Sequence, residues 1–186
     1  MPSFPDLPEP LTDGAVALRL ADERDIPEIL IAYQDDPEMH LRLGEDRPPS
    51  GADLGRRSEH AEASRASGAS VALTVLLQGS DVCRGQVFTS AVDWQNERAE
   101  LAIWLAPQVR GQGVASRALR LASGWLLARC GLERVQLLSE PDNEPLLRAA
   151  AAACFVREGL LRGHIRVRKQ RIDCAVLSLL PADLEG

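Results

Sequence analysis

The sequence predicts an α/β sandwich in which one mixed, mostly antiparallel sheet is flanked by helices. Three observations carry that prediction. Strand-like and helix-like apolar runs alternate along the chain, three strand-like runs follow one another between residues 71 and 105, and a long helical pattern opens on Gly111 and Gly113 directly after them.

In chain order, Ala15–Leu20 (AVALRL) reads as the first strand, and Asp22 stands where a helix N-cap belongs. That helix runs to about Tyr33, with Pro27 tolerated in its first turn. The acidic stretch 35–51, DDPEMHLRLGEDRPPSG, reads as a loop. A helix around Ala52–Ala66 is polar on most of its surface, so it belongs on the outside or on a lid. Val71–Leu77 (VALTVLL) is a continuous apolar strand, and Gly79–Ser80–Asp81 turns the chain. Arg84–Val92 and Glu97–Leu105 follow as strands joined through Asp93–Asn96, which makes three consecutive antiparallel strands. A helix is expected from about Gly111 to Cys130, with Gly131 as its C′ residue. Val114, Ala118, Leu121, Ala122 and Trp125 keep helical spacing, while Leu119, Leu126 and Leu127 widen the apolar face, so this helix packs on the sheet. Arg134–Leu138 is the next strand, and Glu144–Ala153 is an alanine-rich helix. Cys154–Leu161 and Asp173–Leu180 close the sheet, and the basic run RGHIRVRKQR (162–171) joins them as a solvated hairpin tip. One domain over residues 15–182 follows, with residues 1–14 as a loose, extended lead-in.

Composition narrows the function classes. The chain has 186 residues, enough for one full core, and no apolar run approaches the ~20 residues that cross a bilayer. The opening MPSFPDLPEPLTDG lacks an apolar core, so it does not read as a signal peptide, and a cytoplasmic location is expected. A net charge of −6 argues against sequence-independent nucleic-acid binding. Cys83, Cys130, Cys154 and Cys174 fit no zinc spacing, and His40, His60 and His164 are equally scattered, so no metal site is expected and the cysteines read as reduced structural thiols.

The informative segment is Ala99–Ala115, AELAIWLAPQVRGQGVA. A strand ends at Leu105, a short loop carries Pro107, and glycines open a long helix. The first turn of a helix has unpaired N–H groups and a partial positive charge, and glycine lets a pyrophosphate approach them closely. Arg110 adds a cation beside them. A P-loop would need Lys-Ser/Thr after the second glycine, where Val114 stands. A dinucleotide fingerprint would need a third glycine, where Ser116 stands, and an early place in a βαβ unit. The coenzyme A pattern Q/R-x-x-G-x-G/A is met at every defined position by Gln108–Gly113.

With this loop, the preceding strand AELAIWL, the opening LRLADERDIPEIL and the downstream NEPLLRAAAAACFVREGLLR, the chain resembles the GCN5-related N-acetyltransferase (GNAT) superfamily. Its branch of ribosomal-protein N-terminal acetyltransferases, the RimJ/RimL-like group, is the most similar. The resemblance spans about Ala15 to Leu180. It implies the GNAT acyl-CoA N-acyltransferase fold, with acetyl-CoA as cofactor. The pyrophosphate would sit on the amides of Val109, Arg110, Gly111, Gln112, Gly113, Val114 and Ala115, with Ser116 beside them. The pantetheine arm would pair with the backbone of Ile103, Trp104 and Leu105, by strand addition. Asn143 matches the family asparagine that reaches the cofactor; its other reading is a helix cap before Pro145. Two departures stand out. Leu146 replaces the family serine three residues after the asparagine, and Cys154 replaces the glycine before Phe155, where a positive φ would strain it.

The resemblance implies attack of an amine on the acetyl thioester within a ternary complex, without a covalent enzyme intermediate. Glu100 matches a glutamate of many relatives and is the candidate base; a solvated or Arg98-paired strand glutamate is its alternative. Ser139, at the end of the next strand, is the candidate proton donor. Trp94 and Trp104 stand as pocket or core residues. The expected acceptor is a primary amine, by preference a protein or peptide N-terminus. The alternatives are a small amine and, given Leu146, a non-catalytic acyl-CoA-binding regulator on the same fold. Relatives often pair as dimers, so a homodimer is compatible with the resemblance.

Overall fold

The structure, a computed structural model, describes residues 3–7, 9–167 and 170–184. Its strands are β1 (Leu11–Thr12), β2 (Val16–Leu20), β3 (Val71–Leu77), β4 (Gly85–Asp93), β5 (Arg98–Leu105), β6 (Arg134–Ser139), β7 (Val156–Val167) and β8 (Gln170–Leu179). They form one eight-stranded sheet in the order β1-β2-β3-β4-β5-β6-β8-β7. The pairing of β5 with β6 is parallel and the other pairings are antiparallel. The α-helices are α1 (Ile26–Asp35), α2 (Met39–Arg42), α3 (Gly51–Ala66), α4 (Val114–Cys130) and α5 (Glu144–Ala152).

Helices cover both faces. Val16, Leu18, Leu73, Val75, Val87, Leu101, Leu137 and Leu177 meet Ala118, Leu119, Ala122 and Leu126 of α4 in the main core. On the other face, Ile29, Ala32 and Tyr33 of α1, Met39 of α2 and Leu54 of α3 pack with Trp104 and Cys83. The strand β3, read as VALTVLL, is buried along most of its length on both faces, which is why its apolar run does not alternate. The polar α3 buries only Leu54, in keeping with its expected place on the surface.

Four elements differ from the sequence expectation. The segment before Ala15 is extended but docked: Phe4 is 2% exposed, its ring centroid lies 5.3 Å from that of Trp94, and Leu11–Thr12 add a strand to the sheet. The stretch read as a loop contains α2, because Met39 packs with α1 and His40 is buried with its Nδ1 2.8 Å from the Pro37 carbonyl. The helix expected from Gly111 starts at Val114, since Gly111 and Gly113 have φ of 73° and 75°, values outside any right-handed helix. Finally, β7 and β8 continue well past Leu161 and begin before Asp173, with Ile165 opposite Ile172. The run 162–171 is therefore mostly strand; Arg168 and Lys169, at its centre, lie outside the described residues.

Candidate active site

The site begins where two strands part. Parallel pairing of β5 and β6 runs from Arg98↔Arg134 to Leu101↔Leu137 and stops there. Beyond it β5 stays paired with β4 as far as Leu105↔Gly85. The edge of β5 formed by Ala102, Ile103, Trp104 and Leu105 is thus open on the β6 side, the place where an added extended chain finds backbone partners. The Trp104 side chain packs in the α1 cluster and is 5% exposed, and its carbonyl is turned to Gly85 of β4, so Trp104, expected to pair with the arm, faces away from the gap; strand alternation leaves the backbone of Ile103 and Leu105 on that side.

The phosphate-cradle loop follows. Pro107–Val109 makes one turn of 3-10 helix, in which the Val109 amide donates to the Ala106 carbonyl at 3.1 Å and the Arg110 amide to the Pro107 carbonyl at 3.3 Å. Those two amides, expected to serve the cofactor, are engaged. From Gly111 through Ser116 no backbone N–H has an acceptor among the described residues, and Gly113 offers no side-chain cap to the helix. Gln112 and Ala115 contribute amides to this row, and so does Val114, whose side chain is buried in the core. Ser116 donates its hydroxyl to the Gly113 carbonyl at 2.9 Å and keeps its own amide open. A Cβ built on Gly111 or Gly113 would meet nothing within 4 Å, so the space above the amides is clear. Free amides at a helix N-terminus with a partial positive charge fit a pyrophosphate.

Side chains of this loop are fastened to α1 and α2. Gln108 Nε2 donates to Asp35 at 2.6 Å, and Arg110 donates from Nε to the Leu105 carbonyl at 2.9 Å and from Nη1 to Asp36 at 2.7 Å. Asp36 also pairs with Arg42. Burial raises the Asp36 pKa, but the hydrogen bonds from Arg110 and Arg42 outweigh it and hold the carboxyl below its usual range. Arg110, expected as a cation beside the amides, has its guanidinium held by the Leu105 carbonyl and Asp36. Neither aspartate stood out in the sequence, because nothing local marks a pairing between residues 35–36 and 108–110.

Past the open edge lies a small cavity of about 50 Å³, lined by Leu41, Arg42 and Gly44 near α2, by Leu138, Ser139 and Glu140 at the end of β6, by Asn143 and Leu146, and by Ile165 and Ile172 of the last hairpin. Asn143 acts as the α5 N-cap: its Oδ1 accepts from the Leu146 amide at 3.3 Å, and its Nδ2 makes no protein hydrogen bond among the described residues. Capping and cofactor contact therefore need not compete. Ser139 is 4% exposed and donates to the Glu140 carbonyl at 3.0 Å. Glu100 is half-buried, accepts from Gln136 Nε2 at 3.2 Å, and is absent from the cavity wall. Its partner is Gln136 rather than the Arg98 expected in its strand-glutamate reading; Arg98 pairs with Asp93. Trp94 donates to the Gly68 carbonyl and packs on Phe4, away from this region. Burial pushes the thiols of Cys83 and Cys130 up to about 12, so neither supplies a thiolate at neutral pH.

Comparison with known proteins gives this geometry a family. The family model "Acetyltransferase (GNAT) domain" matches residues 16–156, most of the chain. The chain belongs to this family of acetyltransferases. It is 27% identical over 113 residues to the uncharacterized N-acetyltransferase p20 of Bacillus licheniformis; the match covers 61% of this chain and 64% of p20, less than two thirds of that relative. RimL, a ribosomal L7/L12 α-N-protein acetyltransferase solved with coenzyme A, superposes with a TM-score of 0.82 at 18% identity, covering 92% of this chain and 98% of its own. The spermidine N-acetyltransferase of Vibrio cholerae, solved with coenzyme A and spermine, superposes with a TM-score of 0.79 at 18% identity over 94% of this chain and 100% of its own. At such identities these two likenesses speak for the fold. Among the described residues no helix is long and apolar enough to cross a membrane.

Proposed function

We propose that this chain transfers acetyl from acetyl-CoA to a primary amine, by preference the α-amine of a protein or peptide N-terminus, by direct attack in a ternary complex. The observation that carries the proposal is the junction at the end of β5, where an open strand edge over Ala102–Leu105 leads into the unpaired amides of residues 111–116. A ligand with an extended amide-bearing arm and a pyrophosphate matches both halves. Acetyl-CoA is such a ligand, and the group it supplies is an acetyl thioester. The loop amides bind its phosphates, the edge of β5 orients its arm toward the β6 end, and α1 with α2 holds the loop through Asp35 and Asp36.

The cavity of about 50 Å³ supports an acceptor that presents only its amine end and keeps its bulk outside, as a chain terminus does. Chemistry favours the same class. A peptide α-amine has a pKa near 8, so roughly a tenth is uncharged at neutral pH, against well under a thousandth of a lysine side chain with a pKa near 10.4. RimL, by its name, acts on such a terminus, whereas the spermidine enzyme supports a second reading, a small amine. Leu146 in the cavity wall, where the family serine would stand, supports a third, an acyl-CoA-binding regulator without turnover.

Release of free thiol from acetyl-CoA separates the three. Peptides beginning with serine or alanine are expected to be acetylated faster than spermidine, with the acetyl group on the N-terminal nitrogen by mass spectrometry. Faster turnover of spermidine would establish the second reading. Binding of acetyl-CoA without turnover of either would establish the third.

A further inference from the structure

We infer that Glu140, rather than Glu100, is the carboxylate that receives the acceptor's ammonium group and takes its proton. The inference deepens the proposed acetyl transfer and rests on it. It concerns which charged groups the reaction end of the cleft contains.

Among the described residues, the charged ones that line the cavity beyond the open edge of β5 are Arg42 and Glu140. Arg42 is committed to Asp36. Glu140 makes no side-chain hydrogen bond or ion pair among the described residues, and it is only partly exposed. It stands directly after Ser139, past the last strand residue of β6, where Ser139 faces Ala175 of β8. Asn143 and Leu146 complete the same wall. A carboxylate without a partner, in a small cavity walled by Leu138, Leu146, Ile165 and Ile172, is a strong site for an ammonium ion, because charge pairs gain strength away from bulk water.

Glu100 is the poorer candidate. It sits within the still-paired part of β5, opposite Gln136, whose amide it accepts, and it does not reach the cavity wall. Its charge is nevertheless close enough to matter. Burial raises the Cys174 pKa, a backbone hydrogen bond at Ile165 lowers it, and the charges of Glu140, Asp173 and Glu100 raise it. Asp173 accepts from the Gly163 amide at 2.7 Å, and Glu100 has Gln136. Glu140 is the member of the group left open. Together they favour a cationic acceptor end, and Glu140 is the one that the cavity exposes to it.

The step balances as follows. The Glu140 carboxylate takes one proton from the bound ammonium, leaving a neutral amine. The amine nitrogen forms a C–N bond to the thioester carbonyl carbon and the C–S bond breaks. The second proton lost from nitrogen goes to the departing thiolate, and Glu140 then releases its proton to water. Acetyl-CoA and the ammonium form of the acceptor become amide, free thiol and one proton.

The test compares Glu140→Gln, Glu140→Asp and Glu100→Gln with the wild type, using serine- and alanine-initiated peptides and spermidine as probes. Thermal melting with acetyl-CoA is the check that each variant folds and binds cofactor. Loss of a positioned base is expected to cost on the order of 100-fold or more in kcat/KM at pH 7 for Glu140→Gln, with the acetyl-CoA melting shift intact. Glu140→Asp is expected to recover part of the loss. The deficit should shrink at pH 9, where a peptide α-amine is largely uncharged; a role confined to structure would not respond in this way. Among the described residues, Arg42 of α2, Asp173 and Cys174 of β8 and Glu100 of β5 are ionisable groups near Glu140, and all are present in each variant except the one replaced. Turnover by Glu140→Gln within about threefold of wild type, an equal deficit at pH 7 and pH 9, or a loss that falls on Glu100→Gln instead would overturn the assignment. A wild type unmoved by acetyl-CoA would sink the cofactor reading itself, a distinguishable result, since it appears before any rate is compared.

Discussion

Cys154 holds a φ of 71°, in the left-handed region that costs a residue with a Cβ about 1–2 kcal/mol. It sits where the last turn of α5 gives way to β7, and the Phe155 amide donating to the Ala150 carbonyl fixes that reversal. Arg120 Nη1 approaches its sulfur at 3.4 Å, a weak contact that does not require cysteine. Replacement by glycine removes the strain but adds backbone freedom to the unfolded chain, worth about 0.5–1 kcal/mol against it. Chemical denaturation of Cys154→Gly is therefore expected to show a net gain of about 0.5–1 kcal/mol, and a loss would mean that the thiol makes up for its backbone. The sequence already pointed to this position, because a cysteine stood where relatives carry glycine before Phe155. At the same scale the sequence was silent about Asp25. It is 2% exposed and accepts from both Nη atoms of Arg19, from Thr74 at 2.6 Å and from the Asp22 amide. A buried aspartate looks like any helix-start acid until the strands that surround it are assembled.

Elements were legible in proportion to how local their causes are. The apolar run of β3, the alternation of β5, the Gly131 stop of α4 and the Asn143 start of α5 all rest on neighbouring residues, and each stands within a residue or two of its expected bounds. The start of α4 was misjudged by three residues because glycine was read as the first helical position, when its positive φ makes it the residue that precedes one. The strand β1, the helix α2 and the outer halves of β7 and β8 were missed for a common reason. Each is held by a partner outside its own run, Leu11 by Leu18, Met39 by the α1 cluster and Ile165 by Ile172. The candidate site divides along the same line. Its loop was readable from Gln108–Gly113, but Asp35, Asp36, Arg42 and Glu140 joined it only through the fold.

For the whole molecule, the charge network fixes the response to acid. Burial raises the Asp13 pKa, but hydrogen bonds from the Val16 and Ala15 amides and from Arg117 outweigh it and lower the carboxyl to about 2. The paired guanidinium of Arg134, helped by Ser178, lowers Glu158 to about 2. Burial raises Asp25 too, and Arg19, Thr74 and the Asp22 amide more than reverse it. Carboxyls lower in the folded than in the unfolded chain add stability above their unfolded pKa, near 4, and lose it as pH falls through the folded value. The melting temperature is thus expected to hold steady from neutral pH to about 5 and to drop between about pH 4.5 and 2. A drop beginning near pH 6 would contradict this and implicate histidine instead. The central claim, that one end of the sheet is built to hold acetyl-CoA, is tested most directly by melting the protein with and without acetyl-CoA, alongside Gly113→Glu and the less strained Gln112→Glu. A ligand at about 100 times its dissociation constant adds roughly 2.7 kcal/mol, so the wild type should melt at a clearly higher temperature with acetyl-CoA, Gln112→Glu should respond less, and folded Gly113→Glu not at all. A wild type that acetyl-CoA leaves unmoved at millimolar concentration would contradict the account.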